Sequence, residues 1–329
     1  MTELEKSAYI QIRRCCANTR AELARHLGIS RPTASAVVES LLNLGLIREC
    51  GKGKSTGGAT PTLLSVTREA FFTLGIDFGY ADRMSAVLLD GSGGILAQKE
   101  MTFDPSDKAG IVASARQLTG ELAGTRKISG TAIALSAVID EKSRRVLKSV
   151  NPLFCDEGFL PLLEEELGCS VFTANRSRAA AISEAFGGAA DKEGDFALIS
   201  LGKSVGSAFW CGGELFCGAG SAAGEIRNLR LTGGERLEEA LSREKVSLYS
   251  REELLEKCAG ALGQIIDIMD FKLLVLSGRF VDFGADFAGL LETKLSQYSV
   301  SVKQARFGRF SAARGSAYQL AEVLIRSQK

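Results

Sequence analysis

Arg31, Thr33 and Ser35 are polar side chains spaced two apart at the head of a segment in which Ala34, Val37, Val38, Leu41 and Leu42 recur at helical intervals. That spacing leaves them on the exposed N-terminal face of a helix. The chemistry this suits is the reading of DNA, in which arginine takes guanine edges and serine or threonine reaches bases or phosphates in the major groove. Ser30 offers an N-cap oxygen, and Pro32 falls in the first turn, where its missing N–H costs nothing. Just upstream, Thr19 and Glu22 have capping-box spacing. They predict a helix from about Arg20, with Arg20 outward, Leu23, Ala24 and Leu27 inward, and Gly28 as its stop. After Gly45, the segment LIRECGKGKSTGGATPTLLSV has two β-prone runs around a glycine-rich basic loop. It fits a hairpin wing that brings Arg48, Lys52 and Lys54 near phosphates. Residues 1–66 therefore read as a winged helix-turn-helix, against the plainer alternative of a helical pair with a solvated basic loop.

Composition narrows the field further. The chain has 329 residues and a formal net charge of +1, long enough for two or three domains. Residues 1–66 hold nine Lys or Arg against five Glu, so the remainder is slightly acidic and contact with nucleic acid should be local to the head. No run of about eighteen apolar residues occurs, and the N-terminus is charged and amphipathic, which points to a cytoplasmic protein with no membrane partner. The eight cysteines form no C-x-x-C pair and read as free, buried thiols. The single histidine, His26, reads as a surface or helix-packing residue, and neither a metal nor a cofactor is expected.

From about Phe71 the pattern changes to strands, glycine turns and amphipathic helices. Helices are expected over about 107–123, 159–167, 177–187, 235–243 and 251–269, and buried strands at TAIALSAVID, CSVFTA, FALISL and KLLVLSG. Two similarly built stretches, 71–190 and 191–329, each open with a glycine turn between antiparallel strands. They predict a duplicated α/β body of two lobes, with the terminal helix returning to the first lobe and a small-ligand cleft between them.

The order GIDFGYADRMSAVLLD, NPLF, TANRSRAAAISEAFG, ISLGKSVGSAFWCGGELFCGAGSAAGEI and LSG resembles the ROK family of repressors and sugar kinases over nearly the whole chain, and GAGSAAGEI is its most specific segment. The resemblance implies an actin-like ATPase (ribonuclease H-like) core and sugar-responsive repression. It also implies that Asp77, Gly79, Gly202, Lys203, Gly206 and Gly278 are remnants of a nucleotide site. Tyr80 and Ala81 stand where the family has Gly and Thr, and Ser277 precedes Gly278 in place of a Gly pair. In the family's kinases an Asp after Asn takes the proton from the attacking sugar hydroxyl. Here Asn175 is followed by Arg176, and a guanidinium cannot act as a base. The family's zinc ligands are replaced too: Asn228 stands for His, and TGGERLEEALS has no Cys; beside them Arg227 stands for the usual Gly.

What the resemblance leaves for an effector is Asn151, Asn175, Arg176, Glu225, Asn228 and Glu238. Amides and carboxylates suit the donor and acceptor character of sugar hydroxyls. Arg176 either holds an anionic sugar derivative, such as a sugar phosphate, by a charge-assisted fork, or pairs with Glu225 or Glu238 and fills the pocket. The expectation is a non-enzymatic transcriptional regulator acting on a double-stranded operator as a homodimer or homotetramer, with recognition helices about 34–36 Å apart. The alternatives are a sugar kinase with an appended DNA-binding head, a ligand-independent DNA-binding protein, and a scaffold using the head for protein contacts.

Overall fold

Thr2 starts the first helix, its hydroxyl accepting from the Glu5 N–H at 3.2 Å while the Glu5 carboxylate accepts from the Thr2 N–H at 2.7 Å. A computed structural model describes residues 1–328 except 55–59, 81, 141–142, 150, 202–204, 232, 279 and 281–282. This helix, α1 (Glu3–Arg13), was not expected from the sequence. The next two were: α2 (Arg20–Leu27), capped by Thr19 and stopped by Gly28 at φ +64°, and α3 (Arg31–Asn43), capped by Ser30. Strands β1 (Ile47–Lys52) and β2 (Thr62–Val66) then pair antiparallel. Tyr9, Ile12, Leu23, Val38, Leu41 and Ile47 form the core of this head, and Ile325 from the end of the chain joins it.

The body has two sheets of the same design. In the first, β3 (Phe72–Tyr80), β4 (Arg83–Asp90) and β5 (Ile95–Thr102) form an antiparallel meander. Helix α4 (Lys108–Ala123) leads to β6 (Gly130–Leu135), parallel to β3. A small hairpin, β7 (Ala137–Ile139) and β8 (Val146–Ser149), and helix α5 (Phe159–Leu167) precede β9 (Val171–Asn175), giving the order β5-β4-β3-β6-β9. Helix α6 (Arg176–Ala185) then carries the chain to the second sheet. There β10 (Phe196–Leu201), β11 (Gly206–Cys211) and β12 (Glu214–Phe216) are again antiparallel. After α7 (Leu237–Ala240), α8 (Arg243–Val246) and α9 (Arg251–Met269), β13 (Leu273–Gly278) returns parallel to β10. Helix α10 (Phe287–Lys294) and β14 (Ser301–Gln304) complete the order β12-β11-β10-β13-β14. The single helix expected over 235–243 is instead two, because Ser242 caps a new one.

The last helix, α11 (Ser311–Ser327), leaves the second sheet and packs on β3 and α6. Glycine makes this possible. A Cβ on Gly75 would lie 1.9 Å from the Ala313 carbonyl oxygen, and one on Gly315 would lie 1.6 Å from that of Ala179. Among the described residues, no helix is long and apolar enough to cross a membrane.

Candidate effector cleft and nucleic-acid face

The N-terminus of α6, the β7–β8 hairpin, the start of β11 and the 224–227 turn enclose a cleft of about 120 Å³. Its polar lining includes Ser136, Lys148, Asn175, Arg176, Glu225 and Arg227. Three of the six residues expected around an effector, Asn175, Arg176 and Glu225, are therefore brought together, and the other three are not. Asn151 caps the short turn 152–155, accepting from the Leu153 N–H at 3.0 Å and donating to the Pro105 carbonyl at 2.9 Å. Asn228 is exposed on the 226–228 turn, and Glu238 lies on α7 away from the cleft lining. Even Asn175 is committed. Its Oδ1 accepts from the Arg178 N–H at 3.1 Å as the cap of α6, and its Nδ2 donates to the Ala137 carbonyl at 2.8 Å.

Lys148 and Arg227 were not among the expected site residues. Arg227, standing where the resemblance expects Gly, was the available signal; Lys148 gave none beyond its nearness to Asn151. Arg227 pairs with Glu225 at 2.8 Å, so these charges largely cancel and exposed Lys148 gives the cleft a positive bias.

Neither glutamate expected to meet Arg176 does so. Arg176 Nε sits 3.0 Å from both carboxylate oxygens of Asp77, which is fully buried and also accepts from the Gly79 N–H at 2.8 Å. Burial pushes the Asp77 carboxyl above its ordinary range, against the pull of Arg176 and the Gly79 amide. A Cβ on Gly79 would lie 2.0 Å from Arg176 Cδ and Nε, so the arginine covers the backbone that the glycine leaves bare. Gly206 is likewise covered by the Ser177 hydroxyl, 2.4 Å from where its Cβ would be. Gly278, at φ +85°, turns against the Leu201 carbonyl. Gly202 and Lys203 lie outside the described residues. On the far side of Arg176 the space narrows to about 10 Å³ between Ser200, Ser277, Arg309 and Ser311, room for about one water. Among the described residues, no three His, Cys, Asp or Glu side chains are placed to hold a metal ion.

On the head, Arg31 and Thr33 are exposed at the start of α3, and Ser35 is half-buried. The Ser30 and Thr33 hydroxyls meet at 2.7 Å, completing the cap. Arg48, Lys52 and Lys54 are exposed on the wing, with Lys52 donating to the Thr62 hydroxyl at 2.8 Å. Arg20 departs from expectation: it bridges Glu39 of α3 at 2.8 Å and Glu49 of β1 at 2.9 Å. It braces the helix to the wing. Lys6, Arg13 and Arg14 are also turned inward, while Arg25 and His26 stand exposed on α2. The cysteines are all free, but only Cys258 is buried, and Cys15, Cys16, Cys50 and Cys155 are exposed, which corrects the expectation of buried thiols.

Residues 73–232 match the model of the ROK family. The chain carries a ROK family domain. The chain is 25% identical over 218 residues to the xylose repressor of Bacillus spizizenii, covering 65% of this chain and 56% of that protein. It is 23% identical over 218 residues to the DNA-binding transcriptional dual regulator NagC of Escherichia coli, covering 65% and 53%. The chain spans about half the length of the curated relatives it matches. Among solved structures, a ROK family transcriptional regulator described as a homolog of the E. coli MLC protein superposes with a TM-score of 0.74 at 16% identity, covering 98% of this chain and 97% of its own. A ROK glucokinase from Streptomyces griseus, in complex with glucose and AMPPNP, gives 0.66 at 18% identity, covering 75% and 98%. The body thus has the α/β, actin-like ATPase-type fold of ROK regulators and sugar kinases, and the regulator's likeness extends over the head as well.

Proposed function

We propose that this chain is a DNA-binding transcriptional repressor whose winged helix-turn-helix, residues 1–66, is governed by a ROK body of two lobes, 71–190 and 191–329. The body answers to a sugar or an anionic sugar derivative and does not phosphorylate it. The observation that carries this reading is the first turn of α3, where Arg31 and Thr33 stand exposed on a helix whose other face is buried in the head core. Arg31 offers a bidentate fork to a guanine edge, while Arg48, Lys52 and Lys54 hold phosphates beside it. Arg20 fixes the angle between helix and wing through Glu39 and Glu49. Two copies would place their α3 helices about 34–36 Å apart, in successive major grooves. Relatives named as a xylose repressor and a transcriptional dual regulator support the same reading.

Arg176 supports the absence of catalysis. It occupies the position from which a carboxylate would take the sugar proton, and it stays protonated. Within the cleft, Lys148 and the Arg227–Glu225 pair favour a ligand that combines hydroxyls with a negative group. Such an effector changes DNA affinity only if it binds two body conformations unequally.

Two measurements test this. Arg31→Ala is expected to relax preference at one base pair by about 1–3 kcal/mol, whereas Lys52→Ala weakens binding to all duplexes alike and lowers the salt slope by about 1. Equal effects of both on every sequence defeat the assignment of Arg31. Calorimetry with neutral and phosphorylated sugars tests the cleft, and ATP consumption with any of them would restore the kinase reading. No heat from any sugar would favour a ligand-independent DNA-binding protein.

A further inference from the structure

The last turn of α1 does not end in the head. Arg13 is buried against the body, donating from Nε to the Gly91 carbonyl at 3.1 Å and from Nη1 to the Tyr318 carbonyl at 3.2 Å. Its guanidinium lies 3.7 Å from the centroid of the Tyr318 ring. Arg14 forks onto Glu322 of α11 at 2.8 and 2.6 Å and lies 5.2 Å from the Phe186 ring. The two rings then stack on each other, 4.8 Å apart and 13° from parallel, and Phe186 meets Trp210 edge-on at 5.6 Å. This is a continuous series of contacts from the head through α11 to both lobes.

Its two body ends both lead to the cleft. Phe186 caps the C-terminus of α6, whose first residues, Arg176 and Ser177, line the cleft. Trp210 lies on β11, whose first residues, Gly206 and Ser207, line it too. Helix and strand share one apolar core, and Ser177 seats on Gly206 at the cleft, so a shift of either element there is carried along its length to the Phe186–Trp210 contact beside the arginines that seat the head. The seat is also incompletely satisfied. Arg13 Nη2 and, on α11, Arg314 Nε are buried and find no hydrogen-bond partner among the described residues.

Building on the reading of the head as DNA-binding, we infer that the Arg13/Arg14–Tyr318–Phe186–Trp210 stack is the coupling joint through which the contents of the cleft set the placement of the head. The coupling is reciprocal: what the head holds alters the cleft walls, and what fills the cleft alters the head.

The test uses the full chain and Arg14→Gln, with Lys127→Gln, exposed on the loop before β6, as the control. Hydrogen exchange in Arg14→Gln should show protection falling by at least about fivefold in the first turn of α6 and at the start of β11, the low end of ordinary allosteric couplings. Trp210, the single tryptophan, should report a change in emission. Lys127→Gln should show neither. Exchange at the cleft walls that is unchanged in Arg14→Gln overturns the proposal, and Glu322→Gln serves if Arg14→Gln fails to fold. A duplex selected by the chain from a random-sequence pool should shift Trp210 emission in the wild type and not in Arg14→Gln. Binding without that shift also overturns the coupling. Failure to select any duplex sinks the DNA-binding reading alone, and the exchange experiment still decides the joint.

Discussion

One substitution changes two chemistries in this cleft. With arginine at 176, the proton acceptor expected from the family resemblance is replaced by a cation, and that cation neutralises Asp77 and covers Gly79. Each partner is now needed by the other. Asp77 is fully buried and the Arg176 side chain is 15% exposed, so removing the arginine strands a carboxylate in the interior. Arg176→Ala is expected to cost about 3 kcal/mol by urea denaturation at neutral pH, near the low end for broken buried pairs because one partner is partly wet. Adding Asp77→Asn should recover most of that loss. The sign with pH follows from Asp77. A carboxyl whose folded pKa lies above its unfolded value stabilises the fold at low pH and loses that contribution as pH rises through the folded value. The Arg176→Ala penalty should therefore be small near pH 4 and grow toward pH 8. A penalty independent of pH would show that Asp77 is not the group left exposed to the deficit.

At the scale of elements, what the sequence made legible was local. Ser30 and Thr19 mark their helices because an N-cap oxygen is a short-range requirement, and α5 and α9 fall where apolar periodicity puts them. Helix α1 has the same capping-box spacing, in Thr2 and Glu5, yet its apolar face is interrupted by Lys6 and Arg13, whose burial depends on partners up to about three hundred residues away. The candidate site was harder for a related reason. Asn151 and Asn175 are of the type that binds sugar hydroxyls, and also of the type that caps helical turns; only the fold shows that both are occupied as caps. Close helix approach was equally hidden, because a glycine in a helix reads as a weakness. Gly315 is there for contact: replacing it with Ala would push α11 off α6 and should cost about 1–3 kcal/mol or more. Gly120, exposed on α4 with nothing near its absent Cβ, should respond oppositely, gaining about 0.5–1 kcal/mol as Ala. Thermal melting of the two variants checks both signs, and equal shifts would contradict the packing argument.

For the whole molecule, the head is basic in sequence, but much of that charge serves assembly. Arg13 and Arg14 hold the body and Arg20 holds the wing, so the cationic face available to phosphates is mainly Arg25, Arg31, Arg48, Lys52 and Lys54. Ile325 of α11 packs into the head core, so head and body share buried contacts. The seat of the head is the turn after β4, where the Gly91 carbonyl receives Arg13, and that turn is built on Asp90. One Asp90 oxygen accepts from the Ser92 N–H and hydroxyl and the Gly94 N–H at 2.6–3.0 Å, and the other from Arg68 at 2.6 Å. Burial pushes this carboxyl up, but the Ser92 hydroxyl, Arg68 and the Gly94 amide outweigh it and hold it below the ordinary aspartate value. A depressed carboxyl contributes stability above its unfolded value, near 3.9, and loses it as pH falls through the folded one. Acid should therefore loosen the 90–94 turn and the head seated on it, at pH values below about 4. In Asp90→Asn the loss should already be present at neutral pH, and the melting temperature should fall less steeply on acidification. The Arg68 contact should add little at high salt, since that side chain is 53% exposed and screened, whereas the amide and hydroxyl bonds should persist. If Asp90→Asn melts like the wild type at neutral pH and shows the same acid slope, the turn is held by something other than this carboxylate.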